Sequence, residues 1–281
     1  MSYSNFFNIL RQAAVNAIVA AGMTFVILTG GIDLSVGSIL AFSGAVLAKL
    51  IVHGAYEVYA IILLLLTGAF LGLLNGFIIC KGKVQPFIAT LAMMILLRGA
   101  TLVFTDGSPI TFSSNFELHI LDAIGSGYFL GIPLSVYIML LVFVIGYFIL
   151  RYMKIGRYIY AVGCNEKATY IAGINTNIVK IFAYTVCGIT AAISGLIATT
   201  RLFSAQPTMG SSYELDAIAA VVIGGTPLSG GRGSIVGTLI GALIISVLNN
   251  ALNILNVSSY YQMVVKGLVI LVAVILDRKN I

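Results

Sequence analysis

The sequence predicts an all-α fold, a polytopic bundle of transmembrane helices that forms a single membrane domain over residues 1–281. Hydrophobic residues make up 60% of the chain and charged residues only 9%, which excludes an ordinary soluble domain. Several apolar runs reach the length of about 20 residues that crosses a hydrocarbon core. Two of these runs are interrupted by similar glycine-rich segments, a pattern typical of discontinuous helices in transport proteins.

The apolar runs predict nine membrane segments. The runs are continuous, as in 138–150, and therefore differ from the alternating strands of about ten residues that build a membrane barrel. Segment 213–224 is too short to cross alone, so it is either a half-helix or extends into the following glycine-rich break. The nine predicted segments are 13–30, 34–52, 58–80, 86–104, 130–150, 178–200, 213–224, 234–253 and 259–276.

The charges predict which loops lie on the same side of the membrane. Loops rich in Lys and Arg collect in the cytoplasm, so the net charge of +6 indicates membrane topology and not nucleic-acid binding. Nine crossings with a cytoplasmic C-terminus would leave the N-terminus outside. The predicted cytoplasmic group is Lys81, Lys83, Arg151, Lys154, Arg157, Lys167 and the tail 277–279, and the predicted outer group is His53, Glu57, Asp106, Glu117, His119 and Asp122.

The two interrupted runs resemble each other residue by residue. Both read Gly-Gly, two residues, Leu-Ser and later Gly-Ser-Ile, with two extra residues in the second copy. This alignment pairs Gly30 and Gly31 with Gly224 and Gly225 as helix breaks. It also pairs Asp33 with Pro227, a residue type suited to the first turn of a helix.

Asp33 is the most conspicuous polar residue of the apolar runs. A carboxylate within the membrane costs roughly 2.5–3.5 kcal/mol on insertion scales, so it needs donors or water around it. After the Gly30–Gly31 break, Asp33 could cap the N–H groups that open the helix predicted over 34–47. A direct role in the substrate path or in gating is the alternative, which extends to the neighbouring Ser35.

Further polar side chains fall inside or beside predicted spans. Ser246, Asn250 and Asn253 occupy one face of a predicted helix, and Asn75 is an isolated amide in another. Such groups either join helices by hydrogen bonds or line a hydrated passage. The acidic residues 214 and 216 precede a short span and are predicted to face outer water or to cap that helix.

Glycines at intervals of four residues predict close helix contacts. One ridge comprises Gly68, Gly72 and Gly76, and a second comprises Gly233, Gly237 and Gly241. A small residue every four positions lets a neighbouring helix approach closely. Helix packing explains both ridges without a role in transport.

The loop 151–177 holds a short predicted helix, Glu166–Ala172. Asn165 is a suitable N-cap and Gly173 a suitable C-cap. A helix of about two turns is unstable alone and must be positioned by its attachments or by a partner. The segment is therefore either a surface connector or an element that transmits force from a soluble protein into the bundle.

Motifs for ATP and metal chemistry are absent from the sequence. No stretch reads G-x-x-x-x-G-K-[ST], and the three cysteines lack the spacing of a zinc site. Neither a metal nor another cofactor is therefore expected in this chain. Energy for uphill transport would have to come from another protein.

Several longer motifs resemble the permease subunits of binding-protein-dependent ABC sugar importers. They occur in the same order as in that family and cover essentially the whole chain. The motifs are Leu28–Gly37, Val84–Leu91 with Arg98–Gly99, Gly156–Ala161 with Asn165–Glu166 and Gly173–Ile174, Ser204–Pro207, Tyr213–Ala220 and Val257–Gln262.

The resemblance implies a homodimeric channel in the bacterial inner membrane. A periplasmic binding protein would deliver a sugar, and a cytoplasmic subunit would bind ATP and push on the loop that matches Asn165–Ile174, including Lys167 and Ala168. The likeness favours ribose, although another pentose, a galactoside or a furanosyl signal molecule fits the same physics. Family members carry one more N-terminal helix, so a preceding helix is expected.

Two other classes of protein compete with this interpretation. A secondary sugar transporter would take its energy from an ion gradient and would not need an ATPase. An intramembrane enzyme would need a catalytic pair, and Asp33 has no evident acid–base partner in the sequence.

Overall fold

The computed structural model describes residues 3–112 and 118–278, so Glu117 and Lys279 of the predicted loops lie outside it. The described chain is all-α, as predicted. Its helices are, in chain order, α1 (Tyr3–Leu28), α2 (Val36–Val52), α3 (Glu57–Gly82), α4 (Pro86–Phe104), α5 (His119–Ser126), α6 (Leu134–Tyr152), α7 (Lys154–Cys164), α8 (Glu166–Ile171), α9 (Thr176–Leu202), α10 (Tyr213–Ile223), α11 (Ile235–Ile254) and α12 (Ser259–Arg278).

Four two-residue strands accompany the helices: β1 (Ile110–Thr111), β2 (Tyr128–Phe129), β3 (Ile132–Pro133) and β4 (Ser204–Ala205). β1 pairs antiparallel with β4, and β2 pairs antiparallel with β3. The β2–β3 hairpin occupies the start of the span predicted over 130–150, so that helix begins at Leu134 instead. Neither α5 nor α7 is among the predicted helices.

A helix lies at each predicted membrane segment. Within the described residues, 6 helices are long and apolar enough to cross a membrane: α1, α3, α4, α6, α9 and α11. α2 is apolar but has only 17 residues, and α10 has 11. The structure thus supports a multi-pass helix bundle, and the count of nine segments stays a prediction.

α9 is the central helix and packs against α1, α2 and α3. Its contact with α3 uses the first glycine ridge, because a Cβ on Gly188 of α9 would overlap the backbone of Gly68 and Gly72. Gly76 meets Ile181 in the same way. The packing interpretation of this ridge is confirmed.

The second ridge is shorter than predicted. Gly237 and Gly241 lie on α11 and press against the backbone of Gly224 and Ala220 at the end of α10. Gly233 lies before α11 at a φ of +145° and is therefore no part of the helix face. The contact joins the second break directly to the helix that follows it.

The two predicted groups of loops lie at opposite ends of the bundle. The first group shares an end with the start of α9, where Glu166 forms an ion pair with Lys180 and the Cys80 thiol faces the Asn177 carbonyl at 3.6 Å. We call this the basic end. At the opposite end, the Glu57 carboxylate accepts the Leu121 N–H at 2.7 Å.

Candidate translocation core and coupling segment

The first break ends α1 with two characteristic hydrogen bonds. The Gly30 N–H donates to the Ile27 carbonyl at 2.8 Å, and the Gly31 N–H donates to the Val26 carbonyl at 3.2 Å. Gly30 has a φ of +78°, a left-handed conformation that glycine adopts without the steric cost of a Cβ. This is the Schellman C-cap, which satisfies carbonyls at the end of a helix.

The second break repeats this geometry with a shift of one residue. The Gly225 N–H donates to the Val222 carbonyl at 2.9 Å, and the Thr226 N–H donates to the Val221 carbonyl at 3.1 Å. Gly225, with a φ of +87°, is therefore the counterpart of Gly30. The sequence alignment paired Gly30 with Gly224, which remains right-handed at a φ of −69°, so that pairing is wrong by one position.

The shift also separates Asp33 from Pro227. In the structural pairing Asp33 corresponds to Leu228, and Pro227 does not begin a helix. α11 begins only after Ser234, whose hydroxyl accepts the Val236 and Gly237 N–H groups at 3.2 and 3.4 Å. The start is delayed because left-handed glycines at 230 and 231 turn the chain first.

The two breaks touch each other. The Gly231 N–H of the second break donates to the carbonyl of Leu28, the last residue of α1, at 3.0 Å. A Cβ on Gly230 would overlap the carbonyls of Ile27 and Leu28. Two chain interruptions that the sequence presents separately therefore form one junction.

The end of α7 packs on this junction. The Cys164 thiol donates to the Gly231 carbonyl at 3.3 Å, and a Cβ on Gly163 would overlap both Leu28 and Gly231. The Tyr160 hydroxyl donates to the Gly233 carbonyl at 3.1 Å, and burial raises the pKa of this phenol. The segment that leads into α8 thus contacts both breaks.

α8 has the ends that the sequence predicts. The Asn165 side chain accepts the Ala168 N–H at 2.9 Å, which confirms the N-cap. Gly173 has a φ of +84°, and the Ile174 N–H donates to the Thr169 carbonyl at 3.3 Å, which confirms a glycine C-cap. The helix ends at Ile171, one residue before the predicted end, because Ala172 is the cap residue and the left-handed Gly173 follows it.

α8 is anchored on one side and exposed on the other. Glu166 forms an ion pair with Lys180 of α9, and the Thr169 hydroxyl donates to the Ala161 carbonyl of α7 at 2.8 Å. Tyr170 and Ile171 are 70% and 84% exposed, and Lys167 is exposed beside them. A short helix held in this way presents an apolar surface at the basic end.

Asp33 lies in a buried polar network that pairs its Oδ1 and leaves its Oδ2 without a hydrogen-bond partner among the described residues. Its side chain is 0% exposed, and Oδ1 accepts the Ser35 N–H at 2.9 Å and the Ser35 hydroxyl at 2.6 Å. The Asn75 amide donates to the Ser35 hydroxyl at 2.8 Å. Asp33 does accept an N–H at the break, but it is that of Ser35, the N-cap residue of α2, and no N–H within the helix. The predicted start of this helix at residue 34 moves to Val36 accordingly.

The three polar residues predicted on one face of α11 lie in two different environments, the protein core and a cavity. The Ser246 hydroxyl donates to the Ala242 carbonyl of its own helix at 2.8 Å, and Asn250 is buried. Asn253 accepts the Gln262 amide at 2.9 Å and lines a polar cavity. Of the three predicted residues, Asn253 is the one with access to this cavity.

Asp216 does not lie where the sequence predicts. A water-facing or capping residue is predicted at this position, whereas the side chain is 4% exposed. Its Oδ2 accepts hydrogen bonds from Lys266 Nζ at 2.9 Å, from Asn249 Nδ2 at 3.4 Å and from Asn16 Nδ2 at 3.5 Å. The sequence does contain one indication that a carboxylate is buried nearby. Lys266 is a lone cation inside the predicted span 259–276, and a cation there needs an anion close to it.

Comparison with known proteins gives a consistent group of relatives. Residues 5–274 match a family described as the branched-chain amino acid transport system / permease component. The ribose import permease protein of Haemophilus influenzae is 59% identical over 99% of this chain and 86% of its own length. The protein of the same name from Escherichia coli K12 is 55% identical over the same shares. The D-allose transport system permease protein of E. coli is 39% identical over 99% of this chain and 84% of its own length. No solved structure matches the chain.

Proposed function

This chain belongs to the family of the branched-chain amino acid transport system / permease component, and on that premise we propose that it moves ribose inward as the membrane-spanning subunit of an ABC importer. The choice of sugar rests on the relatives that are 55–59% identical and are named ribose import permeases. The chain is a transport permease and not in itself a catalytic enzyme. ATP is bound and hydrolysed by a separate subunit.

One geometric observation carries the mechanism: the segment that leads into α8 contacts both helix breaks. Cys164 and Gly163 meet Leu28 and Gly231 where the two breaks join. A displacement of α8 therefore reaches both breaks through a single packed helix, α7. Closely packed contacts of this kind transmit small shifts because the interior has few voids to absorb them.

The partners follow from the two ends of the bundle. At the basic end, which we assign to the cytoplasm, the ATPase subunit binds the surface of α8, with Tyr170 and Ile171 as its apolar anchors. The periplasmic binding protein delivers sugar at the opposite end. Two copies of the chain form the channel in the inner membrane, and the C-terminus lies in the cytoplasm.

The moving core comprises the two breaks and the polar residues beside them. Gly30 and Gly225 end their helices in the left-handed conformation, and Gly31, Gly224 and Pro227 complete the interruptions. We assign the following residues to the pathway or its gate: Asp33, Ser35, Asn75, Ser246, Asn250 and Asn253.

The test is transport by the reconstituted complex. The permease, its ATPase subunit and its binding protein are placed in proteoliposomes, and radiolabelled ribose uptake is measured with and without ATP. We expect uptake that requires ATP and all three proteins and that survives an ionophore. Accumulation of ribose by the permease alone, or collapse of uptake with the ionophore, would instead establish an ion-driven transporter.

A further inference from the structure

A polar cavity of about 390 Å³ lies at the end of the bundle opposite to α8. The last turns of α9 and α11 and the first turns of α10 and α12 surround it, together with α1. Its volume falls within the range of roughly 300–1,000 Å³ that is usual for small-molecule sites. The polar side chains that line it include Asn16, Asp216, Asn249, Asn253, Gln262 and Lys266.

Three charged side chains line this cavity: Asp216 and Lys266, which pair with each other, and Arg201. Asp216 lies 2.9 Å from Lys266, and two amides complete the donors around the same carboxylate oxygen. The Arg201 guanidinium adds up to five N–H donors to these groups. The cavity therefore offers a dense set of hydrogen-bond donors and acceptors, which suits a molecule rich in hydroxyl groups.

One acceptor in this cavity has no donor. Asn249 directs Nδ2 at Asp216, and its Oδ1 is buried without a hydrogen-bond partner among the residues that the structure describes. Buried polar atoms normally have a partner, so we expect the Asn249 side chain, which lines the cavity, to turn this oxygen toward a donor that enters there. The missing group is a donor, and a sugar hydroxyl supplies one.

We infer that this cavity binds the monosaccharide during translocation, with Asp216 and Asn249 accepting hydrogen bonds from its hydroxyl groups and Lys266 holding the carboxylate in place. The inference rests on the proposed function, because it names the site that receives the sugar from the binding protein. Apolar residues such as Leu202 and Met209, which also line the cavity, contact the C–H faces of the sugar ring. The cavity lies at the end of the bundle where we place the binding protein.

The competing explanation is that the Asp216–Lys266 pair only fastens α12 to α10. A double variant in which the two charged residues are exchanged distinguishes the structural role from sugar binding. A purely structural pair is restored when Asp216→Lys is combined with Lys266→Asp, because the attraction across α10 and α12 is regained. A sugar site is not restored, because the carboxylate then points from α12 and no longer faces Asn249.

The first experiment measures binding of radiolabelled ribose to the purified permease–ATPase complex without the binding protein, and ribose uptake in proteoliposomes that hold all three proteins. Asp216→Asn and Asn249→Leu are expected to weaken binding about tenfold, the loss of one good hydrogen bond to a sugar hydroxyl. The exchanged pair should remain defective. Asp122→Asn, an exposed carboxylate at the same end, serves as the matched control and should behave like the parent.

A second measurement does not depend on the folding of these variants. Gln262→Cys places a thiol in the cavity wall, and its reaction with a maleimide is followed in the permease–ATPase complex, without the binding protein, in the presence and absence of saturating ribose. We expect ribose to slow the reaction several-fold relative to an equal concentration of an uncharged polyether. The parent complex gives the background from the native cysteines.

The outcomes distinguish this inference from the proposed function. If the parent complex imports no ribose, the proposed function fails and this inference fails with it. If the parent imports ribose but the exchanged pair regains full binding, or ribose leaves the Gln262→Cys reaction unchanged, only the sugar site is refuted. Weakened binding that the exchange does not restore, together with protection of the thiol, supports the site.

Discussion

The backbone N–H of Gly231 donates to the carbonyl of Leu28 at 3.0 Å, and this hydrogen bond joins the two interrupted helices of the bundle. Leu28 is the last residue of α1 and lacks a carbonyl partner within its own helix. The second break supplies that partner from more than half the chain away. Gly163 and Cys164 of α7 pack on the same hydrogen bond. The segment that leads into α8 therefore meets both breaks at this point.

Gly163→Ala is expected to disrupt this junction. A Cβ at this position would overlap the Leu28 carbonyl and the Gly231 N–H, so α7 must move away at a cost of about 1–3 kcal/mol. Ribose uptake should fall more than ATP hydrolysis by the complex, because the break no longer follows α7. Gly99→Ala is the control, since nothing lies within 4 Å of its added Cβ. Equal, normal uptake in both variants would contradict the coupling route.

Glu166→Gln is expected to uncouple ATP hydrolysis from uptake while membrane insertion stays intact. The Glu166–Lys180 pair is partly exposed, so its loss lowers stability by less than about 1 kcal/mol. It nevertheless removes the one ion pair, among described residues, that links α8 to α9. Lys180→Gln should have the same effect, and the exchange of both charges should restore coupling. Normal coupled uptake in Glu166→Gln would refute the role of this pair.

Gly173→Val is expected to uncouple transport for a different reason. The residue has a φ of +84° and open space around it, so the penalty of about 1–2 kcal/mol comes from the backbone alone. Gly173→Asn is the matched control, because Asn tolerates the left-handed conformation. The measurement is the ratio of ribose imported to ATP hydrolysed. A ratio that is the same for Val and Asn would rule out a role for this C-cap in coupling.

Cys164 is expected to react with thiol reagents from the cytoplasmic side only. Its side chain is exposed at the basic end, and its thiol contacts the Gly231 carbonyl. An impermeant maleimide should leave it unmodified in intact spheroplasts and label it in inside-out vesicles, and labelling should reduce uptake. Cys164→Ser keeps a hydrogen-bond donor and serves as the unlabelled control. Modification from outside would reverse the assigned topology.

Features that depend on neighbouring residues were predicted well. Asn165 and Gly173 mark the ends of α8 because capping chemistry is contained within a few residues. Both breaks were located for the same reason. The choice of Gly225 over Gly224 as the left-handed residue was missed, because it depends on where the last hydrogen bond of α10 closes and on the contact of Gly224 with Gly237.

Features that depend on distant partners were not predictable in this way. Asp216 and Lys266 are separated by 50 positions in the chain and meet only when α10 and α12 pack together. Seen locally, Asp216 is one of two acidic residues in the first turn of a short helix, which is normally a capping role. Its burial in a polar cavity follows from the helices around it.

The sequence by itself determined an all-α membrane bundle, the two interruptions and the capped coupling helix, because composition and short-range hydrogen bonding are properties of contiguous residues. Only the tertiary structure decided that the interruptions touch each other, that α7 packs on their junction and that Asp216 finds its donors on three other helices. Glycine contacts between helices bring these backbones close enough to bond, and such proximity is not encoded in any single stretch of the chain.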